Sequence, residues 1–469
     1  MDRTELIDRI ARYCREAGMA ESTFGRRAVN DGKLVGRIRD GGRIGKATLQ
    51  KIQSFIKAHP AAATENRSVM TGPPAAGTLP AGLATPPVME RAIPETGDSN
   101  NFRFFDNRQK YLMFVNTCSE KWEIGQRVSQ ELANLHPTPP SVRLFDAGVG
   151  DGTVLASLMR AMHRRFSTMP FYIVGKEISL EDVRLALDKM PDRLFEHPST
   201  VLVFTNLYYS ESPWLTTASK TAATKFVWKD VSLRGSSAHE FQEQITDLQP
   251  FLSENWQAGI GKEGNPIYDR PVVLVLYRRD HRFLLDPVIP RPGAVRADFD
   301  LVVASQPYRA RASAGFKAAK VIGPLARSLG PGGRLIGIHS RGDDPGLEMI
   351  REIWPEEDPF QVDRHAVLKA TKAFLGRDAR MFNFTAGADS RAMFRYWMHT
   401  LPNEVTSAIG TSTLMAAWNA ATYVAQIEDH RLEQAILSGS YIEATRKILH
   451  RHGGLWFNDE SYVISRRRE

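Results

Sequence analysis

The sequence predicts an α/β fold for most of the chain, preceded by a small all-α domain. Residues 141–158 have the pattern of an apolar strand that leads through a glycine-rich turn into a helix. Strand patterns and helical patterns then alternate up to about residue 400, which is typical of a sheet covered by helices. Residues 1–60 contain only short helical patterns separated by turn residues.

The composition indicates more than one domain. A chain of 469 residues with 42% hydrophobic residues can build two or three cores. No run of about 18 apolar residues occurs and the N-terminus is charged, so neither a membrane span nor a secretory signal is predicted. The two cysteines, Cys14 and Cys118, are too few for a disulfide framework or a cysteine-type zinc site, and they fit a cytoplasmic protein.

Residues 1–60 carry most of the net charge of +8, because they hold thirteen basic and seven acidic side chains. Their four short helical patterns resemble the phage-repressor type of helix-turn-helix domain. That resemblance implies that the third helix enters a DNA major groove while other basic residues meet phosphates. The implied contacts are Lys33, Arg37 and Arg39 on this helix, with Arg26, Arg27, Arg43 and Lys46 on the phosphates. The alternative is a helical module that binds a protein partner or packs on the rest of the chain.

Residues 61–101 are rich in Pro, Ala, Gly and Thr, so a flexible linker is predicted there. We then expect a catalytic domain over residues 102–408 and a mainly helical extension over 409–469. Residues 102–135 are helical in pattern, and they either cover the bound ligand or only cover the sheet. The extension ends in a strand-like segment whose place in the fold the pattern leaves open.

The glycine turn after the first strand has acids beside it. Gly148, Gly150 and Gly152 alternate, with Asp146 before them and Asp151 among them. Glycine allows a ligand to approach the backbone closely. Because carboxylates repel phosphate, this turn suits a ligand that carries positive charge.

The segment D-A-G-V-G-D-G resembles motif I of class I S-adenosylmethionine-dependent methyltransferases. The resemblance implies a Rossmann-like sheet of seven strands and S-adenosyl-L-methionine as the cofactor. Glu177 ends the second strand, where a carboxylate can accept the hydroxyls of a ribose. Asn206 ends the third strand, where the family often places an acid or amide near the adenine. The implied cofactor-binding residues are therefore Asp146, Gly148, Gly150, Gly152, Glu177 and Asn206.

Residues 210–297 separate the third and fourth core strands, and we expect an inserted subdomain there, beside the active site. The fourth strand ends in Ser305-Gln306-Pro307-Tyr308. This looks like motif IV of methyltransferases that act on amino nitrogens, in which the pattern is Asp/Asn/Ser-Pro-Pro-Tyr/Phe. The four residues are the implied catalytic residues, with the aromatic ring against a planar or cationic acceptor. Gln306 departs from the pattern, which counts against a nucleobase as acceptor.

The segment Leu329 to Gly333 also resembles the family, as the turn before the fifth strand. Residues 379–398 are expected to form the antiparallel hairpin that closes the family's sheet, around Gly387 to Asp389. His339, at the end of the fifth strand, is a candidate base, although a hydrogen-bonded core histidine is the alternative.

The leading hypothesis is methyl transfer from S-adenosylmethionine to an acceptor that the sequence does not identify. A sulfonium is already an activated donor, so alignment of the reactants is the main task, and no metal site is predicted. One alternative is a DNA-binding transcriptional regulator whose larger domain senses the cofactor without turnover. Another is a DNA N-methyltransferase that flips its target base. The net charge of only +2 outside residues 1–60 counts against the latter.

Overall fold

The computed structural model describes residues 3–16, 21–29, 31, 34–39, 45–58, 108–261, 266–399 and 410–468. The chain divides into two compact units, residues 1–94 and 95–469, and each is described by itself. The linker predicted at 61–101 lies outside the described residues. No helix in these ranges has both the length and the apolar character that crossing a bilayer requires.

The described part of the first unit contains four short helices around an apolar core. They are α1 (Arg3–Glu16), α2 (Glu21–Val29), α3 (Leu34–Arg39) and α4 (Lys46–Ala58). The rings of Tyr13, Phe24 and Phe55 meet edge to face, with centroids 5.6–6.3 Å apart. This geometry is favourable for aromatic side chains and holds α1, α2 and α4 together.

The second unit is a mixed α/β structure around one large sheet. Its strands are β1 (Val142–Asp146), β2 (Phe171–Lys176), β3 (Thr200–Thr205), β4 (Val227–Leu233), β5 (Ala258–Ile260), β6 (Pro266–Tyr268), β7 (Val272–Arg278), β8 (Phe299–Ser305), β9 (Leu329–Ser340), β10 (Phe382–Thr385), β11 (Met393–Trp397) and β12 (Trp456–Arg466). Its helices are α5 (Arg108–Thr117), α6 (Glu120–Ser129), α7 (Thr153–Arg165), α8 (Leu180–Asp188), α9 (Met190–Glu196), α10 (Lys220–Ala223), α11 (Ala238–Thr246), α12 (Gln249–Asn255), α13 (Arg282–Leu285), α14 (Ala314–Lys317), α15 (Gly323–Arg327), α16 (Pro345–Arg351), α17 (Arg364–Leu375), α18 (Asp389–Ala392), α19 (Thr411–Val424), α20 (Asp429–Ser438) and α21 (Ser440–His452).

The central strands of the sheet run parallel. The order is β10-β12-β9-β8-β1-β2-β3-β7-β4, with β11 also paired to β12. β1 lies between β2 and β8, both parallel to it, so their carboxyl ends meet at one edge. The strands of such a sheet are buried on both faces, which explains why β2 and β3 are buried throughout.

Ten strands form this sheet among the described residues, whereas the resemblance implied seven. The predicted insertion at 210–297 accounts for two of them. Its strand β7 pairs antiparallel with β3, and β4 then pairs parallel with β7. Every residue of β7 is buried, so this segment extends the main core, while β5 and β6 form a small separate ribbon.

The predicted closing hairpin is wrong. β10 and β11 each pair antiparallel with β12, and α18 lies between them in the chain. β12 has 11 residues, which is long enough to pair β11 along its first half and β10 along its second. The C-terminal strand therefore joins the main sheet, between β9 and these two short strands.

The C-terminal helices pack on the helices that precede β1. Phe114 of α5, Trp418 of α19 and Ile448 of α21 belong to one buried apolar cluster. The same cluster includes Tyr396 of β11 and Phe457 of β12, whose rings stack 5.2 Å apart. Helix α5 is thus packed between the C-terminal helices and the strands β11 and β12.

β12 carries a buried ion-pair network. The Arg364 guanidinium lies 2.7 Å from one oxygen of Glu460, and His339 Nε2 lies 2.8 Å from the other. The Arg364 backbone N–H also donates to Glu460, at 2.7 Å. Burial raises the pKa of Glu460, but the hydrogen bonds from His339 and Arg364 outweigh it and bring the pKa to about 2.

We expect Glu460→Gln to lower the free energy of unfolding by about 3–5 kcal/mol, because it removes the buried partner of Arg364 and leaves its charge paired with the exposed carboxylate of Asp389. The carboxylate is stabilised in the folded state, so its contribution is present above its ordinary pKa of 4.5 and is lost as pH falls toward about 2. Urea denaturation at neutral and acid pH checks both effects. Asp378→Asn, at an exposed ion pair, is the control, and an equal loss in the two variants would contradict the prediction.

Candidate functional site

The glycine turn joins β1 to α7 through two left-handed residues. Gly150 has φ of 53° and Gly152 has φ of 80°. A side chain strains this conformation, and at Gly152 a Cβ atom would also lie 2.7 Å from Ala186 Cα. On Gly148, a Cβ atom would lie 3.8 Å from the carbonyl oxygen of Ser305. The turn therefore lies directly beside the predicted catalytic tetrapeptide.

Glu177 lies against the glycine turn. One carboxylate oxygen accepts the Gly150 N–H at 2.8 Å. The other accepts the N–H groups of Ile178 and Ser179, at 2.8 and 2.9 Å. A carboxylate oxygen has two lone pairs, so the oxygen that meets Gly150 retains capacity for one further donor. The structure thus places Glu177, to which the sequence assigned a ribose contact, against the glycine turn.

The two acids of the turn differ in environment. Asp146 is buried and accepts the Gly148 N–H at 3.2 Å. Burial, reinforced by the charge of Glu177, raises the pKa of Asp146 to about 6. Asp151 instead accepts hydrogen bonds from Thr153 at the start of α7 and lies 3.3 Å from the Lys189 ammonium. Asp151 is consequently a helix-capping residue with its own cation.

Helices α5 and α6 bring two groups over the turn that the sequence analysis did not assign to the site. The Tyr111 hydroxyl accepts the Asp151 N–H at 3.3 Å. The Lys121 ammonium lies 5.7 Å from the centre of the Tyr111 ring and 3.3 Å from Glu120. The charge of Lys121 also acts to lower the pKa of both Asp146 and Asp151. This supports the first of the two interpretations of this segment, in which it covers the turn.

Tyr209, after β3, reaches across the strand ends. Its hydroxyl donates to the Pro307 carbonyl oxygen at 2.9 Å, and the Lys176 ammonium lies 4.8 Å from the ring centre. Burial, with the charges of Glu177 and Asp146, raises the pKa of this phenol. The ring therefore lies between the end of β2 and the loop after β8. The sequence offered only its position shortly after a strand end as a signal.

The tetrapeptide adopts a backbone that differs from the pattern it resembles. Gln306 has φ of 47°, which a proline cannot adopt because its ring holds φ near −65°. The Gln306 amide nitrogen donates to Ser340 at 3.1 Å and to both oxygens of Asp459 at 3.3 Å. A left-handed non-glycine residue of this kind is strained and is common at functional sites.

Tyr308 points into a buried network. Its hydroxyl lies 2.6 Å from His339 Nδ1 and 3.1 Å from the Tyr462 hydroxyl. Since His339 Nε2 faces the Glu460 carboxylate, the Nδ1 lone pair accepts the Tyr308 proton. Burial, partly offset by Glu460, lowers the pKa of His339, so the imidazole is neutral. His339 is thus the hydrogen-bonded core histidine that the sequence left as the alternative.

Asn206 has a structural role. Its amide nitrogen donates to the Arg270 carbonyl oxygen and its oxygen accepts the Val272 N–H, both at 2.8 Å. The side chain is 1% exposed and fastens the start of β7 to the end of β3. Both ends of this amide already form hydrogen bonds with the backbone at the start of β7, a strand that the resemblance did not include. We therefore do not retain the predicted contact with adenine.

The basic residues predicted to meet DNA are only partly described. Arg37 and Arg39 form ion pairs with Asp31 and Glu21, at 2.6 and 2.7 Å. Both arginines are more than half exposed. The side chains of Arg26, Arg27, Lys33, Arg43 and Lys46 lie outside the described residues. Within the described ranges, no group of His, Cys, Asp and Glu residues is placed to hold a metal ion.

No protein-family model matches this sequence, and no curated protein matches it. Among solved structures, it is similar to the [4+2]-cyclase SpnF, with 13% identity over 73% of this chain and 80% of that one and a TM-score of 0.28. It is also similar to geranyl diphosphate methyltransferase in complex with GPP and sinefungin, with 12% identity over 73% and 78% of the chains and a TM-score of 0.28. A third is PKMT2 from Rickettsia typhi in complex with AdoHcy, with 11% identity over 75% and 54% of the chains and a TM-score of 0.25. Each TM-score is below 0.5, so the functional proposal rests on the residues of the site.

We expect Gly152→Ala to destabilise the unit more than Gly453→Ala. Both glycines are left-handed, with φ of 80° and 65°, so each substitution costs about 1–2 kcal/mol of backbone strain. Only at Gly152 does a Cβ atom also collide with the backbone, whereas at Gly453 nothing lies within 4 Å. Urea denaturation of the two variants measures the difference, and equal losses would show that the turn tolerates a side chain.

Proposed function

We propose that this protein transfers a methyl group from S-adenosyl-L-methionine to an acceptor. The observation that carries the proposal is the contact of Glu177 with the glycine turn, beside a second buried carboxylate, Asp146. Two acids at the backbone of a strand-turn-helix disfavour the pyrophosphate that a dinucleotide fold seats there. They suit a nucleoside that carries an ammonium and a sulfonium.

The residues present fit this cofactor. Glu177 would accept one ribose hydroxyl through the oxygen that retains a free lone pair, and Asp146 would balance the positive charge. The Tyr209 ring, between the end of β2 and the loop after β8, offers a flat surface to an aromatic base or a cation. When bound, the cofactor supplies a methyl group already activated by its sulfonium. The chain then has to align the reactants and exclude water, an effect that can reach about 7–11 kcal/mol.

The acceptor would lie beside Ser305 and Gln306, because their strand β8 neighbours β1 and their loop touches the glycine turn. The left-handed Gln306 changes the loop that the amino-nitrogen pattern describes. This geometry counts against the DNA N-methyltransferase alternative. Measurement of methyl transfer distinguishes an enzyme from a regulator that senses the cofactor without turnover.

The affinity for S-adenosyl-L-methionine should fall as pH decreases through about 6. The carboxylate of Asp146 has its pKa near that value, and its protonation removes the charge that attracts the cation. Asp146→Asn should bind at least about tenfold more weakly at neutral pH, with little change on acidification. Isothermal titration calorimetry of both proteins checks this, with the exposed Glu254→Gln as control. Equal affinities of wild type and Asp146→Asn would remove the proposed role.

Methyl transfer itself is tested with radiolabelled S-adenosyl-L-methionine and cell extract. Fractionation of the label into nucleic acid, protein and small molecules identifies the acceptor class. Tight cofactor binding without label in any fraction would favour the sensing regulator over the enzyme.

DNA binding through the first unit is a second proposal, supported by the exposed arginines of α3 and the surplus of basic residues in 1–60. We expect replacement of both Arg37 and Arg39 by alanine to weaken any DNA binding and to reduce its salt dependence, because phosphate contacts release counterions. Gel-shift titrations at two salt concentrations measure this, with Lys57→Ala on α4 as control. Unchanged binding in the double variant would place the contact elsewhere.

A further inference from the structure

Four consecutive polar residues, Asn458 to Ser461, lie inside β12 and are 7%, 0%, 0% and 1% exposed. Three of them have partners that explain their burial. Asn458 donates to the carbonyl oxygens of 342 and 343, Glu460 meets Arg364, and Ser461 donates to the carbonyl oxygen of 392. Within the described part of the chain, Asp459 has no ion pair, and its contacts are with neutral groups.

Asp459 faces the predicted catalytic loop. Gln306 donates to both of its oxygens at 3.3 Å, and the same amide donates to Ser340 at 3.1 Å. Gln306 follows Ser305, whose carbonyl oxygen borders Gly148 of the glycine turn. The C-terminal strand therefore places a buried carboxyl group beside the loop at which the proposed acceptor lies.

Tyr396 lies on the same face of the paired strands β11 and β12. It is opposite Phe457 in the register, and Phe394 is opposite Asp459, so Tyr396 and Asp459 are diagonal neighbours. The Tyr396 side chain is 0% exposed, and its hydroxyl has no hydrogen-bond partner among the described residues. Ser119, the residue before Glu120, accepts the Trp397 N–H at 3.0 Å and donates its own N–H to the Trp397 carbonyl oxygen at 2.8 Å, so the start of α6 lies against β11 beside Tyr396. Burial raises the pKa of the Tyr396 phenol, and the charges of Asp459 and Glu120 add to this effect.

Glu120, at the start of α6, adds a second buried carboxyl group, 5% exposed. The Lys121 ammonium lies 3.3 Å from it, and the Lys121 side chain is 21% exposed, so the cluster is not sealed from solvent. The charge of Lys121 also acts on Asp146, so this single ammonium is shared between Glu120 and Asp146. Asp344 lies close as well, but its oxygens accept the N–H groups of Leu347 and Asn458.

A protonated amine has the chemistry that this arrangement lacks. It carries a positive charge and has three N–H donors, which match two carboxyl groups and a hydroxyl oxygen that has no donor. An anionic ligand would instead face a surplus of buried negative charge. Several buried polar atoms in the described residues have no partner, and the Tyr396 hydroxyl is the one whose residue is a diagonal neighbour of Asp459, which is why it points to a ligand at this place.

We propose that Asp459, Glu120 and Tyr396 form a subsite for a protonated aliphatic amine, which is the methyl acceptor. The assignment of the amine as the methyl acceptor rests on the proposed function, because an amine could bind here without being methylated. In the bound state Asp459 holds, as a carboxylic acid, the proton that the nitrogen gives up, which agrees with the burial that raises the pKa of Asp459 well above its ordinary value. The nitrogen is left uncharged, with the lone pair that a nucleophile requires.

The test uses the full chain with n-butylammonium chloride as the probe and n-butanol as its uncharged analogue. Calorimetric titrations with and without S-adenosylhomocysteine should detect n-butylammonium and not n-butanol. Asp459→Asn should weaken amine binding at least about tenfold, because it removes a charged hydrogen bond. Tyr396→Phe should weaken it about three- to tenfold. Asp378→Asn, at a remote exposed ion pair, should bind like the wild type.

Tyr396→Phe also separates a ligand-binding role from a structural one. Its hydroxyl bonds nothing in the described residues, while the ring stacks on Phe457. The variant should therefore unfold at the same temperature as the wild type or at a higher one, and still lose amine affinity.

Equal binding of n-butylammonium by Asp459→Asn and wild type would overturn the subsite, as would equal binding of n-butylammonium and n-butanol. If the protein binds S-adenosylhomocysteine but not n-butylammonium, the amine subsite is overturned and the proposed function is unaffected. If the protein binds n-butylammonium but not S-adenosylhomocysteine, the subsite is retained and methyl transfer is rejected.

Discussion

The contact between Glu177 and the glycine turn determines the geometry of the whole site. One carboxylate accepts the N–H of Gly150 from the turn after β1 and those of Ile178 and Ser179 after β2. Ser179 in turn caps α8, with its hydroxyl accepting the Asp182 N–H at 3.2 Å. The loops after two neighbouring parallel strands are thereby held at fixed positions, with Asp146 between them.

Burial of charge is the second constraint. Asp146, Glu177, Asp459 and Glu460 are all buried near the carboxyl edge of the sheet or the strand beside it. These four acids differ in the partners that the chain provides for them. Glu460 has a complete set of partners in Arg364 and His339, so it stabilises the fold. Asp146 and Asp459 meet mainly neutral donors and share the influence of Lys121. Buried acids without a complete set of partners are suited to bind a cationic ligand.

The additional strands explain how such a site is built. β12 lies next to β9 and carries four buried polar residues along the edge of the loop after β8. The C-terminal helices pack on α5, which carries Tyr111 to the glycine turn. Sequence segments at opposite ends of the second unit therefore meet at one place.

The local pattern of the sequence was sufficient for the turn and its neighbours. The strand before Asp146, the glycines and the acid at the end of β2 are properties of short segments, and the structure places Gly148, Gly150, Gly152 and Glu177 together. The strand patterns of the predicted insertion were also recognisable. The sequence did not indicate that β7 would pair antiparallel with β3, or that the Asn206 side chain would bond the backbone at the start of β7. The tertiary structure alone decided the partners of Gln306, Tyr308 and Asp459, because the pairing of β12 with β9 brings together side chains more than 150 residues apart. Such long-range pairing leaves no periodic trace in a sequence. Four polar residues in a row within an otherwise apolar C-terminal strand were its only visible sign.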